Sequence, residues 1–389
     1  MSNEREQIID LTKKLVEIPS ITGKTEEALM VLKAVKEYLE NSDKLSTKTF
    51  EHNGIVSQLW GDENTLFNPK LLLSGHIDVV NAPDYQFNVR EKDGKLFGRG
   101  TGDMKGHVVS MLTAYKKHIE NTGSSKGISL LLTSDEEVGG FNGTRYVLES
   151  TKLRPSIVFI PDGEFSFDIV DSQKAPHHFH IRAKSLTGGG HVSKAFEKDN
   201  PVNKILTVYK EMREKYALAT KDDEWKSTLE MTVINSGNGL GKNKTTNSAN
   251  QIAEWSEAWL GWRWPLEVKI DGDLATYESG LRDLSAITQK YGVEILKDDH
   301  GFGEGCYTNP DAKFVKDWKN IVEKEIGRNV GFKHMHGATD GRHFYKYGAD
   351  VLVTSGITEG AHSDNEWVDI DSLVKLAHAV YNCQQEITK

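Results

Sequence analysis

Across its 389 residues the chain carries only two cysteines, Cys306 and Cys383. Two thiols cannot build a disulfide framework or a cysteine-rich zinc site, so any metal must be held by His, Asp and Glu. No apolar run approaches the roughly 18 consecutive residues that suggest a membrane helix. The opening MSNEREQIIDLTKKL is charged throughout and amphipathic, which reads as a helix and lacks the apolar core of a signal peptide. Positive charge is also short: Lys plus Arg number 48 against 57 Asp plus Glu, a net charge of −9. With no basic domain or stripe, a nucleic-acid-binding role is excluded. Glycine-rich stretches occur, but neither is a nucleotide motif. GRGTGDMKG has Asp103 where a dinucleotide fingerprint needs its third glycine, and in GNGLGKN Ser236 and Asn243 occupy the first-glycine and final Ser/Thr positions of a phosphate loop. A cytoplasmic, globular α/β protein of two domains is what remains.

The stretch from Leu71 to Gly106 organises the rest. LLLSGHIDVV opens as a buried strand, and period-two alternation puts His76 and Asp78 on one side of its C-terminal end. That spacing suits a metal-binding imidazole oriented by a carboxylate, although a His-x-Asp at a strand end can also be simple polar punctuation. Asp103 follows Gly98, Gly100 and Gly102, whose backbone freedom permits the tight turns that would aim it at the same point. The design recurs. The apolar run Ile128 to Thr133 ends in Asp135-Glu136-Glu137, and IVFIPDGEF ends in Asp162 and Glu164. Strands alternating with helical patterns, at residues 3–17, from a cap at Thr22 or Thr25 to about Leu39, and at 104–121, predict a mostly parallel sheet with helices on both faces. In such sheets ligands bind beyond the carboxyl ends of the strands, where these acids and histidines fall.

The pattern changes near Ala175. An alternating strand HHFHIRAKS, a helix over 201–217, strands at LEMTVINSG and EWSEAWLGWRW, a helix over 273–291 and a strand YGVEIL predict a small α+β module. It interrupts a catalytic domain at 1–175 and 300–389, and itself spans 176–299. Its tryptophans, Trp255, Trp259, Trp262 and Trp264, are expected to pack the sheet on its helices or to meet a partner subunit. His177, His178 and His180 are expected to open its first strand rather than to bind metal.

The sheet-edge groups are His76, Asp103, Glu136, Glu137, Asp162 and His362: two imidazoles, four carboxylates and no thiol. Such a set suits zinc, cobalt or manganese. One His and one carboxylate per ion, with a carboxylate bridging both, would make a two-metal site able to activate water and polarise a carbonyl. Of the adjacent glutamates one can bind metal while the other acts as general base.

The set SGHIDVV, GRGTGDMKG, SDEEVGG, FIPDGEF, GGGHVS, GATDGRHF and GAHSDNEWV resembles the co-catalytic zinc aminoacyl hydrolases, a family that includes acetylornithine deacetylase, succinyl-diaminopimelate desuccinylase, carboxypeptidase G and bacterial dipeptidases. The resemblance spans nearly the whole chain. It implies two Zn2+ ions per chain, with Co2+ or Mn2+ as substitutes, held by His76, Asp103 as the bridge, Glu137, Asp162 and His362. It makes Glu136 the general base and Asp78 the residue that orients His76. For the ligand after the third strand, Asp162 is preferred to Glu164 because Pro161-Asp162-Gly163-Glu164 is closer to the dipeptidase pattern. The inserted module resembles the family's lid or dimerisation domain, which implies a homodimer. His191 takes the place of the lid histidine that stabilises the oxyanion, although GGGHVSKAFEKDNP departs from the usual stretch. Asn247, Arg263 and Arg342 match substrate-binding positions, and a guanidinium suits a substrate carboxylate. The implied activity is amide hydrolysis of an N-acyl amino acid such as acetylornithine or succinyl-diaminopimelate, or of a dipeptide. A non-catalytic relative that binds such molecules in the same cleft is the reading from another class.

Overall fold

A computed structural model describes residues 2–39, 45–238, 249–297 and 303–388; Asn247 lies outside them. The chain divides into two compact units, Met1–Gln173 with Cys306–Lys389, and Lys174–Gly305.

The first unit is built on a nine-stranded sheet. Its order runs Ser46–His52, Ile55–Gly61, Ile128–Thr133, Leu71–His76, Ile157–Ile160, Asp350–Val353, Ile169–Gln173, Cys306–Tyr307, and Phe332–Met335 pairs beside Ile169–Gln173. The α/β class is as expected, but the sheet is mixed rather than mostly parallel. The four central strands, from Ile128–Thr133 to Asp350–Val353, run parallel, whereas the flanks are largely antiparallel. The reason at one edge is local. Asn53 and Gly54, at φ 50° and 78°, close a two-residue hairpin that leaves its strands no option but antiparallel pairing.

The parallel strands are buried on both faces, which is why they read as unbroken apolar runs. On one face the helices Ser2–Val16, Thr25–Leu39, Lys105–Thr122, Lys313–Ile326 and Ile370–Thr388 bury Leu15, Val35, Val108, Leu112, Trp318 and Leu376 against the sheet. On the other, the short helices Thr144–Ser150 and Gly341–Tyr345 bury Val147, Leu148 and Phe344. With His76 in register with Thr133, and Leu73 in register with both Leu130 and Phe159, three parallel strands deliver His76, the Glu136-Glu137 turn and Asp162 to the same sheet edge.

The second unit has a four-stranded antiparallel sheet, ordered Thr228–Gly237, Trp255–Trp264, Ala175–Lys184, Val293–Leu296. Helices Pro201–Tyr216 and Tyr277–Tyr291 pack on one face of it. Their ends follow from sequence. The Asn200 side chain accepts from the Val202 amide ahead of Pro201, and Thr276 and Ser279 form a reciprocal capping box. Trp262 and Trp264 are buried and stacked at 3.9 Å on the helix side, while Trp255 and Trp259 point to the opposite face, where Trp259 stacks on His180. The histidines of the first strand divide the same way: His177 is buried against Phe179 and Tyr277.

No helix among the described residues is long and apolar enough to cross a membrane.

Candidate active site

His76 ends its strand with its side chain buried and its Nε2 facing two carboxylates, Asp103 Oδ1 at 3.1 Å and Asp162 Oδ1 at 3.9 Å. Its other nitrogen, Nδ1, lies 3.0 Å from the Asp78 carbonyl oxygen and 3.4 Å from the Asp78 carboxylate. A proton on Nδ1 donated to that carbonyl leaves the Nε2 lone pair directed at the acids, which is the arrangement a ligand imidazole needs. Orientation of His76 therefore comes first from the backbone of Asp78. The Asp78 carboxylate does more elsewhere: it accepts from the amides of Glu136 (3.2 Å) and Glu137 (3.3 Å) and from the Thr22 hydroxyl (2.8 Å). One buried carboxylate thus ties the end of the first strand to the turn bearing the two glutamates.

Asp103 turns its second oxygen to another group. Oδ2 is 3.1 Å from His362 Nε2, which is itself 2.9 Å from Glu137 Oε2. His362 reaches this point from a loop in which its own φ is 63°. Two trios result, His76–Asp103–Asp162 and Asp103–Glu137–His362, each with its ligand atoms within 4.8 Å of one another, and Asp103 belongs to both. Glu136 lines the same cleft of about 510 Å3 but belongs to neither trio. Glu164 also lines the cleft wall and is exposed; the histidine–carboxylate cluster forms around Asp162.

The electrostatics follow from crowding acids beneath the sheet edge. Burial and the nearby Asp162 carboxylate hold Glu136 well above the usual glutamate range. Burial likewise pushes Asp162 up to about 7. Burial disfavours a charged Asp103, yet hydrogen bonds from His362 and His76 win and hold it low. His362 is raised to about 10 by its bonds to Asp103 and Glu137. Positive charge is therefore drawn to these atoms. Imidazole and carboxylate donors without a thiol fit a borderline divalent ion, and the shared Asp103 fits a pair of ions.

Arg342, in the helix Gly341–Tyr345, is 4% exposed, and its Nη2 donates to the Gly139 carbonyl at 2.7 Å. His343, held neutral by burial, donates from Nε2 to the same oxygen at 2.9 Å. Arg342 does not line the cleft; it braces the turn that follows Glu136 and Glu137. His191 and Arg263 lie in the second unit. His191 is exposed, with Nδ1 bonded to Ser193, and Arg263 sits opposite Pro176 and Thr228 on the sheet face away from the helices.

Several residues at the site escaped sequence reasoning. Thr22 anchors Asp78, as described. Lys105 is fully buried and donates to the carbonyls of Leu15 (3.0 Å) and Ile18 (2.7 Å), fastening the first helix behind the loop of Asp103. Glu366 and Arg99 form a buried pair at 2.6 Å. Glu366 lies in the same GAHSDNEWV stretch as His362, so its proximity in sequence to a candidate ligand was the available signal.

Residues 72–385 match peptidase family M20/M25/M40. The chain belongs to this family. It is a hydrolase, and membership makes it a metal-dependent one that cleaves amide bonds, which sets aside the non-catalytic binding protein. It is 30% identical over 341 residues to a succinyl-diaminopimelate desuccinylase of Rickettsia canadensis, covering 82% of this chain and 83% of that one. In fold it resembles a tripeptidase of Staphylococcus aureus, with a TM-score of 0.76 at 18% identity and 98% of both chains covered. It also resembles a dinuclear metal-binding peptidase of the M20 family from Bacillus subtilis, with a TM-score of 0.62 at 15% identity, covering 100% of this chain and 99% of that one.

Proposed function

We propose that this enzyme removes the acyl group from an N-acyl amino acid such as succinyl-diaminopimelate or acetylornithine, using two zinc ions. The observation that carries the reading is the division of Asp103, with Oδ1 beside His76 and Oδ2 beside His362, while Glu136 stays outside both trios. His76 and Asp162 would hold one ion, Glu137 and His362 the other, and Asp103 both. The chemistry such ions would supply there is polarisation of an amide carbonyl and acidification of water.

The chain's own residues supply the proton traffic. Glu136, kept basic by burial and by Asp162, takes a proton from the attacking water at its carboxylate and returns it to the leaving amine. Asp78 holds the backbone of Glu136 and Glu137 still, and Arg342 braces the turn behind them. His191 serves as the donor to the developing oxyanion, and Arg263 with Asn247 receives the substrate carboxylate, with the second unit acting as lid and as the contact of a cytoplasmic homodimer.

The cleft wall adds a preference. Glu164 and Glu359 line it beyond the proposed ligands, and no Lys or Arg lines it among the described residues. A substrate with a free ammonium group, as in both named acyl amino acids, suits that wall. The Pro161-Asp162 pattern and the likeness to a tripeptidase favour a second reading, hydrolysis of small peptides, which also carry an ammonium group.

The test is a panel of succinyl-diaminopimelate, acetylornithine, dipeptides and tripeptides, assayed after chelation and after return of zinc or cobalt. Metal-dependent turnover highest on the acyl amino acids supports the first reading. Highest turnover on peptides selects the second, and turnover that survives complete chelation contradicts both.

A further inference from the structure

Serving two ions with one carboxylate requires that Asp103 be held in a fixed orientation. Yet it ends a stretch with glycines at 98, 100 and 102, among them Gly100 at φ 86°, where a chain is intrinsically free. The restraint comes from the other ligand loop. Glu366 is 2% exposed, and its Oε1 accepts three amides in succession along the stretch: Gly100 at 2.9 Å, Gly102 at 3.0 Å and Asp103 itself at 3.0 Å. Its Oε2 receives Arg99 Nη1 at 2.6 Å. Arg99, 3% exposed, sends Nη2 to the carbonyl of Ser363 at 3.2 Å, one residue beyond His362. The Gly98 amide adds a bond to the Glu366 carbonyl at 3.1 Å. Every one of these partners of the Glu366 carboxylate is a donor, so the group has four hydrogen bonds to lose if its oxygens are replaced.

We infer that Glu366, paired with Arg99, is a positioning residue that locks the Asp103 loop to the His362 loop, so that the ligands of both ions are arranged before an ion arrives. The inference rests on the two-metal reading above. It makes Glu366 a group through which both trios are held, because Asp103 belongs to each. A glutamine at 366 would keep one acceptor but turn an NH2 toward the Arg99 guanidinium, leaving a buried cation uncompensated.

The test uses the full chain, stripped with a chelator and titrated with cobalt. Glu366→Gln should weaken cobalt binding by about 10–100-fold, the usual loss when the group that orients a ligand is removed, and lower kcat with KM little changed. A purely structural role would lower thermal stability and leave cobalt affinity alone. Should Glu366→Gln not fold, the neutral pair Arg99→Gln/Glu366→Gln is titrated in its place. Wild-type affinity in either folded variant overturns the inference. Independently of any variant, the Gly100, Gly102 and Asp103 amides of the stripped wild type should exchange with solvent at least about 100-fold more slowly than those of an open loop, as buried bonds do. Exchange at open-loop rates would overturn the inference as well. Failure of the wild type to bind cobalt while these amides stay protected would instead sink the two-metal reading and leave the clamp standing.

Discussion

The two trios that share Asp103 differ in how they are built. His76 is 1% exposed, stands at the end of a central strand and has its second nitrogen fixed on Asp78. His362 is 54% exposed and stands on a loop in a left-handed backbone conformation. Asp162, beside His76, is pushed up by burial, whereas His362 is raised by its hydrogen bonds to the Asp103 and Glu137 carboxylates. If ions bind as proposed, a rigid buried half and an open half joined by one carboxylate predict unequal affinities: an ion at His76 would be retained, and one at His362 would exchange more readily.

The largest expected effect bears on the group outside both trios. Glu136→Gln should cut kcat by about 10²–10⁴-fold, the range for loss of a general base, while metal content stays at the wild-type level. Loss of metal in that variant would place Glu136 among the ligands and blur the division. Next, His76→Ala should abolish tight binding at the buried half and, through Asp103, weaken the other. His362→Ala should abolish binding at the open half and leave the buried half intact. Equal losses in the two variants, read by calorimetric titration, would break the comparison.

The pH response sharpens it further. Because hydrogen bonds to Asp103 and Glu137 raise His362 to about 10, an ion entering there must displace a proton throughout the neutral range. Affinity at the open half should therefore rise with pH between 6 and 8, by about tenfold per unit for one proton released. A flat profile, measured by titration in buffers of differing ionisation heat, would contradict the proton-held state of His362. The smallest expected effect belongs to Asp78→Asn. It keeps the backbone carbonyl that faces His76 Nδ1 and loses the carboxylate beneath the glutamate turn, so metal affinity at His76 should change less than about tenfold, toward the low end of such losses. A loss as large as that of His76→Ala would mean the carboxylate, not the carbonyl, orients the ring.

Much of the frame was legible in the residues. Unbroken apolar runs that end in acids announced parallel strands with polar C-terminal ends, and alternation at Ala175–Lys184 and Trp255–Trp264 announced a sheet with one covered face. The flanking strands were harder to read. Their direction is set by a hairpin turn and by pairing between segments distant in sequence, such as Cys306–Tyr307 with Ile169–Gln173, and neither leaves a periodic trace. At the site, metal-type residues stood out by their chemistry, whereas the groups that hold them did not. Thr22 and Asp78 are 56 residues apart, and Arg99 and Glu366 are 267 apart, so only the folded chain brings them together. Arg342 illustrates the converse: its type suits a carboxylate, but only the fold shows that its Nη2 donates to the Gly139 carbonyl.

The most direct test of the two-trio reading is a cobalt titration of the stripped protein, followed by calorimetry and by the visible spectrum. Two ions per chain bound in two unequal steps, with only the tighter step surviving in His362→Ala, is the predicted result. A single ion per chain, removed equally by His76→Ala and by His362→Ala, would contradict it, because the trios would then be one site.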